Sequence, residues 1–250
     1  MTELHFIKAG GGDNKIVFIH GNLASSLWWK KTLSVIRAPF EGYAIDLPGC
    51  GKTREPGVTR TMEYLAAVVT DFLKTQGLER VTLVGHSLGG GIAQLTAINH
   101  PEKVEKLVLV NSIPMHGFPV FYTYGEDKLR QLRQRDSVLR KSIKNVMPEI
   151  KDNEFFEEII AEAKAVSCEA YLGHTKAMAD VDWSDRIGLI TCPTLFIHGQ
   201  KDRFVKIQGS RKTAAAIGNC IFVDLPGCGH SPMVEVPDAF NSIVFDFIGR

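Results

Sequence analysis

The stretch Val81-Thr82-Leu83-Val84-Gly85-His86-Ser87-Leu88-Gly89-Gly90 decides the reading of this chain. Its first four residues are a short, almost uninterrupted apolar run, as expected of a strand covered on both faces. Residues 88–99 read as a helix that ends at His100-Pro101, because proline lacks the N–H a helix needs and disfavours helical backbone before it. Between the two stands Gly-x-Ser-x-Gly. A serine at the point of a strand-to-helix turn projects its hydroxyl toward substrate, and Gly85 and Gly89 remove side chains that would collide in so tight a turn. The helix beyond it offers unpaired N–H groups and the positive end of its dipole, which favour negative charge nearby. In this context the motif points to Ser87 as a nucleophile; a glycine-rich turn with an incidental serine is the competing reading.

Working outward, short apolar runs bounded by Gly, Pro or Asp at 4–8, 15–20, 42–46, 81–84, 106–110, 194–198 and 220–224 read as strands. Helical spacing covers 61–75, 88–99 and 238–248. The alternation predicts an α/β fold with about seven mostly parallel strands, flanked by helices and joined by right-handed crossovers. The rhythm breaks at 113–185, where charged amphipathic segments at about 126–147, 153–166 and 169–179 carry no buried-strand signal. The expected organisation is a core of 1–112 and 186–250 with a helical cap, or lid, of 113–185 inserted before the strand at 194–198.

Composition narrows the function classes. The 250 residues are 44% hydrophobic and 23% charged, ordinary for a globular protein. A net charge of +1 gives no reason to expect nucleic acid or an anionic membrane as partner. No apolar run approaches the roughly 20 residues that span a bilayer, and the first twenty residues lack a secretory pattern. Cys50, Cys168, Cys192, Cys220 and Cys228 are scattered with no Cys-x-x-Cys pair, as in a cytoplasmic protein with reduced thiols. No His/Cys/Asp cluster has metal-ligand spacing, so neither a metal nor another cofactor is expected, and the partner is a small-molecule substrate. Gly51-Lys52-Thr53 looks like the end of a phosphate-binding loop, but the glycine required five residues earlier is Asp46.

Gly85-His86-Ser87-Leu88-Gly89-Gly90 resembles the nucleophile elbow of the α/β-hydrolase superfamily, and the likeness extends over nearly the whole chain. Ile16-Val17-Phe18-Ile19-His20-Gly21-Asn22 is similar to the family's His-Gly turn, which implies that the backbone N–H groups of Asn22 and Leu88 form an oxyanion hole. His20 then holds the loop. Residues 193–202, ending Gly199-Gln200-Lys201-Asp202, resemble the segment that carries the family's acid, and Gly227-Cys228-Gly229-His230 resembles the loop that carries its histidine. The chain order Ser87, Asp202, His230 is the one this fold uses. Asp46-Leu47-Pro48-Gly49-Cys50-Gly51 is like the family's Asp-x-Pro-Gly-x-Gly loop at the pocket rim. Some relatives carry the acid at the position of Asn111; an amide there favours Asp202.

The resemblance implies a serine hydrolase in which His230 takes the Ser87 proton and Asp202 orients His230. Trp28, His86, Met115, Phe118, Phe121 and Tyr122 are candidates to line an apolar substrate pocket. An ester, lactone or thioester of a small to medium acyl group is the preferred substrate class. A carbon–carbon bond hydrolase is an alternative, although such enzymes commonly carry Asn where this chain has His86. Cofactor-free perhydrolase or haloperoxidase chemistry uses the same three residues. A non-catalytic ligand-binding receptor on the same fold is the alternative of another class.

Overall fold

The computed structural model describes residues 3–54, 57–150 and 153–250. Strands β1 (Phe6–Gly10), β2 (Asn14–Ile19), β3 (Phe40–Ile45), β4 (Val81–His86), β5 (Val104–Val110), β6 (Thr194–Gly199) and β7 (Cys220–Leu225) form one sheet in the spatial order β1-β3-β2-β4-β5-β6-β7. β1 runs antiparallel to β3 and every other neighbouring pair is parallel. The first strand lies two residues later than the apolar run at 4–8 suggests. It is half-exposed at the sheet edge, and hydrophobicity defines an edge poorly.

The central strands are apolar throughout because both faces are covered. Val17, Ile19, Leu83, Leu107 and Leu109 point into one core, while Ile16, Phe18, Val84, Val108 and Val110 point into the other. The helices before β5 are α1 (Lys30–Leu33), α2 (Met62–Thr75) and α3 (Leu88–Asn99). The Thr61 side chain caps α2 by accepting from the Tyr64 N–H, and Met62, Leu65, Val69 and Phe72 turn toward the first core. Between β5 and β6 come α4 (Val120–Tyr124), α5 (Glu126–Gln134), α6 (Asp136–Val146), α7 (Glu154–Ala165) and α8 (Cys168–Ala179). Then follow α9 (Ile207–Ala215), α10 (Pro232–Glu235) and α11 (Pro237–Ile248), and α11 packs Phe240, Val244 and Ile248 into the second core.

The single helix suggested over 126–147 is two. Arg135 is extended (φ −100°, ψ 111°), and Asp136 opens the new helix, where a negative charge suits the dipole. Among the described residues no helix is long and apolar enough to cross a membrane.

Register positions the chemistry. His86 lies beside Val110, Val110 beside Ile197, and Ile197 beside Val223, so β4, β5, β6 and β7 finish at one edge of the sheet. Ile19 pairs with Gly85, which sets the turn after β2 next to the turn after β4. Loops gathered at the carboxyl ends of parallel strands are where open α/β sheets hold their ligands.

Candidate active site

Ser87 sits between β4 and α3 with φ 54° and ψ −115°, a left-handed conformation that costs a non-glycine residue about 1–3 kcal/mol. The surroundings hold it there. Its N–H donates to the Val110 carbonyl at 3.0 Å, and its own carbonyl accepts from Gly90, Gly91 and Ile113. Gly89 makes the close approach possible: a Cβ there would stand 2.3 Å from the Ile19 carbonyl oxygen and 2.6 Å from that of His20. Gly89→Ala is therefore expected to push β2 and the following turn away from the elbow. The expected loss is about 1–3 kcal/mol, the usual cost of overpacking against a rigid neighbour, and urea denaturation measures it.

Asp202 and His230 meet across the ends of β6 and β7. His230 Nδ1 lies 2.8 Å from Asp202 Oδ2, and the two side chains are 6% and 0% exposed. The same oxygen accepts from Asn111 Nδ2 at 2.6 Å, while Oδ1 accepts from the N–H groups of Phe204 and Val205 at 2.7 and 3.1 Å. Burial pushes the Asp202 pKa up, but the charge of His230 and these hydrogen bonds outweigh it and hold the carboxyl at about 2. The carboxylate is thus ionised and its orientation is set by four donors. Asn111, the amide noticed at the end of β5, is one of them.

Ser87 and His230 line one cavity of about 460 Å³, together with Asn22, Trp28 and His86. Asn22 belongs to the turn after β2. Its side chain donates to the Tyr171 carbonyl and to Thr175 Oγ1 at 3.2 and 2.8 Å, tying that turn to α8. Leu88 is fully buried at the first position of α3, where a helix has no internal acceptor for its N–H. His20 is buried between two backbone partners: it receives the Leu47 N–H on Nε2, so its Nδ1 donates to the Gly21 carbonyl. Burial lowers the His20 pKa, against the pull of Asp46.

His86 stacks on Trp28 at 5.8 Å and donates from Nε2 to the His230 carbonyl at 2.9 Å. Burial, reinforced by the charge of His230, holds its imidazole well below the ordinary range, so it is neutral.

Met115, Phe118, Phe121 and Tyr122 lie outside the residues that line the cavity. Met115 is buried in the first core, with its backbone bonded to Thr213 and Trp183. Phe118 packs on Phe204, which in turn meets the His230 ring edge-on at 5.1 Å, so it backs the site. Phe121 packs on Tyr122, and Tyr122 is 62% exposed with its hydroxyl on Asp180. The short helix α4 leaves Tyr122 to solvent and Phe121 against the first core, and presents Val120 and Tyr124 to the cavity instead.

The apolar wall comes mainly from positions that were not singled out, among them Leu129, Leu139, Ile143, Tyr171 and Met178 on α5, α6 and α8. Their helical spacing marked buried faces, yet spacing alone does not separate a core face from a cavity face. Lys128 and Arg203 are also in the lining, which among the described residues contains no aspartate or glutamate.

A strand-to-helix serine and a buried carboxylate–histidine pair thus meet at one cavity. The chain belongs to the alpha/beta hydrolase family, whose profile matches residues 16–243, and it is a hydrolase. It is 29% identical to a 2-hydroxy-6-oxononadienedioate/2-hydroxy-6-oxononatrienedioate hydrolase of Cupriavidus pinatubonensis, over 99% of this chain and 91% of that one. It is 28% identical to a 2-hydroxy-6-oxo-6-phenylhexa-2,4-dienoate hydrolase of Comamonas testosteroni, over 98% and 91% of the two chains. An enol-lactonase structure from Burkholderia xenovorans superposes with a TM-score of 0.88 at 23% identity, covering 100% of this chain and 97% of that one. An esterase from Exiguobacterium antarcticum gives 0.87 at 21%, covering 100% and 96%. The two solved structures share the fold.

Proposed function

We propose that this chain hydrolyses carboxylic esters, lactones or thioesters of small to medium acyl groups, with Ser87 as nucleophile, His230 as base and Asp202 as its orienter. The observation that carries the reading is the buried 2.8 Å Asp202–His230 pair whose histidine shares a cavity with the strained serine. In the first half-reaction the Ser87 hydroxyl proton passes to His230 Nε2 as Oγ attacks the acyl carbon. The N–H groups of Asn22 and Leu88 hold the resulting oxyanion. Collapse expels the leaving group, which takes the proton from His230. Water then loses a proton to His230, attacks the acyl carbon and frees Ser87. Residues 113–185 act as a cap, and its helices supply the apolar wall that receives the acyl chain. Steady-state turnover across p-nitrophenyl esters, lactones and acyl thioesters tests this. Saturable binding with no product release would make the chain a receptor instead.

A second reading, hydrolysis of a carbon–carbon bond, has support of its own. The curated relatives are hydrolases of dienoates and dienedioates by their names, substrates that bear carboxylates, and among the described residues the cavity lining carries Lys128 and Arg203 with no acidic side chain to offset them. These cations suit a substrate with a carboxylate remote from the scissile bond. In that reading the departing group leaves as a carbon anion and must be protonated at carbon. Replacing Lys128 and Arg203 together by glutamine is expected to raise KM for a carboxylate-bearing substrate about tenfold, which corresponds to about 1.4 kcal/mol, and to leave a neutral ester unaffected. Equal effects on both substrates would mean that the cations do not select the charge.

A further inference from the structure

The loop that carries His230 is held by hydrogen bonds at the histidine and at the residues on both sides of it. The His230 N–H donates to the Val146 carbonyl, at the last residue of α6, at 2.7 Å. On either side, the N–H groups of Gly229 and Ser231 donate to the carboxylate of Glu235, at 3.0–3.1 Å and 3.0 Å. Glu235 also accepts the N–H of Glu149, in the connection between α6 and α7, at 3.1 Å. The His230 carbonyl takes the Nε2–H of His86, and Nδ1 meets Asp202. Among the described residues, Nε2 is the one polar atom of His230 outside this set, and it is the atom that the proposed mechanism uses.

Packing is equally close. A Cβ at Gly229 would stand 2.4 Å from the Pro148 ring and 2.7 Å from the Val146 carbonyl oxygen, so residues 146–149 rest directly on the loop.

We propose that Glu235 is a positioning residue for His230, and that through it the α6–α7 connection is joined to the catalytic imidazole. The proposal rests on the assignment of His230 as the base. One carboxylate gathers three backbone N–H groups, two from the histidine loop and one from the helical segment. A carboxylate suits this place because it accepts only. Three donors converge on it, and an amide would turn one NH2 toward them. No proton or electron moves at Glu235; its part is to keep Nε2 where Ser87 can use it. The geometry makes the helical segment part of the catalytic frame as well as a wall for substrate, since displacing residues 146–149 removes the loop's Val146 anchor and one of the three donors that hold Glu235.

Three variants, Glu235→Gln, Glu235→Asp and His230→Ala, test the idea with the ester that the parent protein turns over best. Loss of turnover in His230→Ala establishes the base first; retained turnover there would defeat the site assignment rather than the positioning role. Given that loss, Glu235→Gln is expected to lower kcat by about 10², the scale on which about 1 Å of misplacement acts, with KM within twofold of the parent. The rate of Ser87 labelling by a fluorophosphonate should fall in parallel. Glu235→Asp keeps the charge but is too short to reach all three donors, so an intermediate loss is expected. A lowered Tm with unchanged kcat and labelling rate would overturn the proposal. Hydrogen exchange on the parent protein gives an answer even if the variants fold poorly. The amides of Gly229, His230 and Ser231 should be protected far above those of exposed turns, and exchange as fast as in such turns would overturn the proposal too.

Discussion

Ser87→Ala is expected to abolish turnover, with a loss of about 10⁶ in kcat, the scale on which removing a nucleophile from such an assembly acts. The same variant should lose all covalent labelling by a fluorophosphonate. The physical ground is the elbow. The hydroxyl stands at the point of a turn whose backbone is pinned by Val110, Gly90, Gly91 and Ile113, and no side-chain cap bond of α3 depends on it. Alanine removes one oxygen and leaves that frame, so stability measured by denaturation should stay within about 0.5 kcal/mol. A variant that keeps a substantial rate, or that labels as fully as the parent, would place the nucleophile elsewhere.

Asp202→Asn is expected to lower kcat by about 10⁴ while the fold persists. An amide of the same shape can still accept from Phe204 and Val205. It cannot serve the other oxygen's role without change, because Oδ2 accepts from both Asn111 and His230. An NH2 at that place would face donors and force the imidazole to turn or to change tautomer.

The substitution also has a pH signature. The carboxyl is held at about 2 in the folded protein against about 3.9 for an unperturbed aspartate. A depressed folded value means that the ionised form stabilises the fold above about pH 4 and that this contribution is lost as pH falls through about 2. The parent should therefore lose stability more steeply than Asp202→Asn between those limits, as urea denaturation at a series of pH values would record. Parallel curves, or near-normal turnover, would remove Asp202 from the role.

The sheet was legible in the sequence because its central strands are buried on both faces. Runs such as Val81–Val84 and Thr194–His198 are mainly apolar, with Val81, Leu83, Val84 and Leu195–Ile197 all buried. The elbow was legible for a different reason: glycines at 85 and 89 around a serine mark a turn in which two backbones nearly touch. Asp202 and His230 rested on likeness to known loops, since nothing in their spacing from Ser87 places them beside it; the parallel register does that. The substrate wall was less readable. A helix such as α5 shows in its sequence that Leu129 and Leu132 share a face, but whether that face meets core or cavity depends on how the segment folds back at Arg135 and Gly125. Phe121 and Tyr122 looked like pocket aromatics for the same reason, but one packs on the first core and the other faces solvent. Glu235 gave no signal, because a carboxylate serving backbone groups leaves no periodic trace.

The strained serine sets a limit on improving this molecule. Glycine tolerates φ 54° and other residues resist it, so the position that the proposed chemistry requires is one that backbone energetics would reassign. A search for more robust variants that ranks substitutions by folding energy alone is drawn to replace this residue first, and each gain in endurance made there removes the proposed nucleophile.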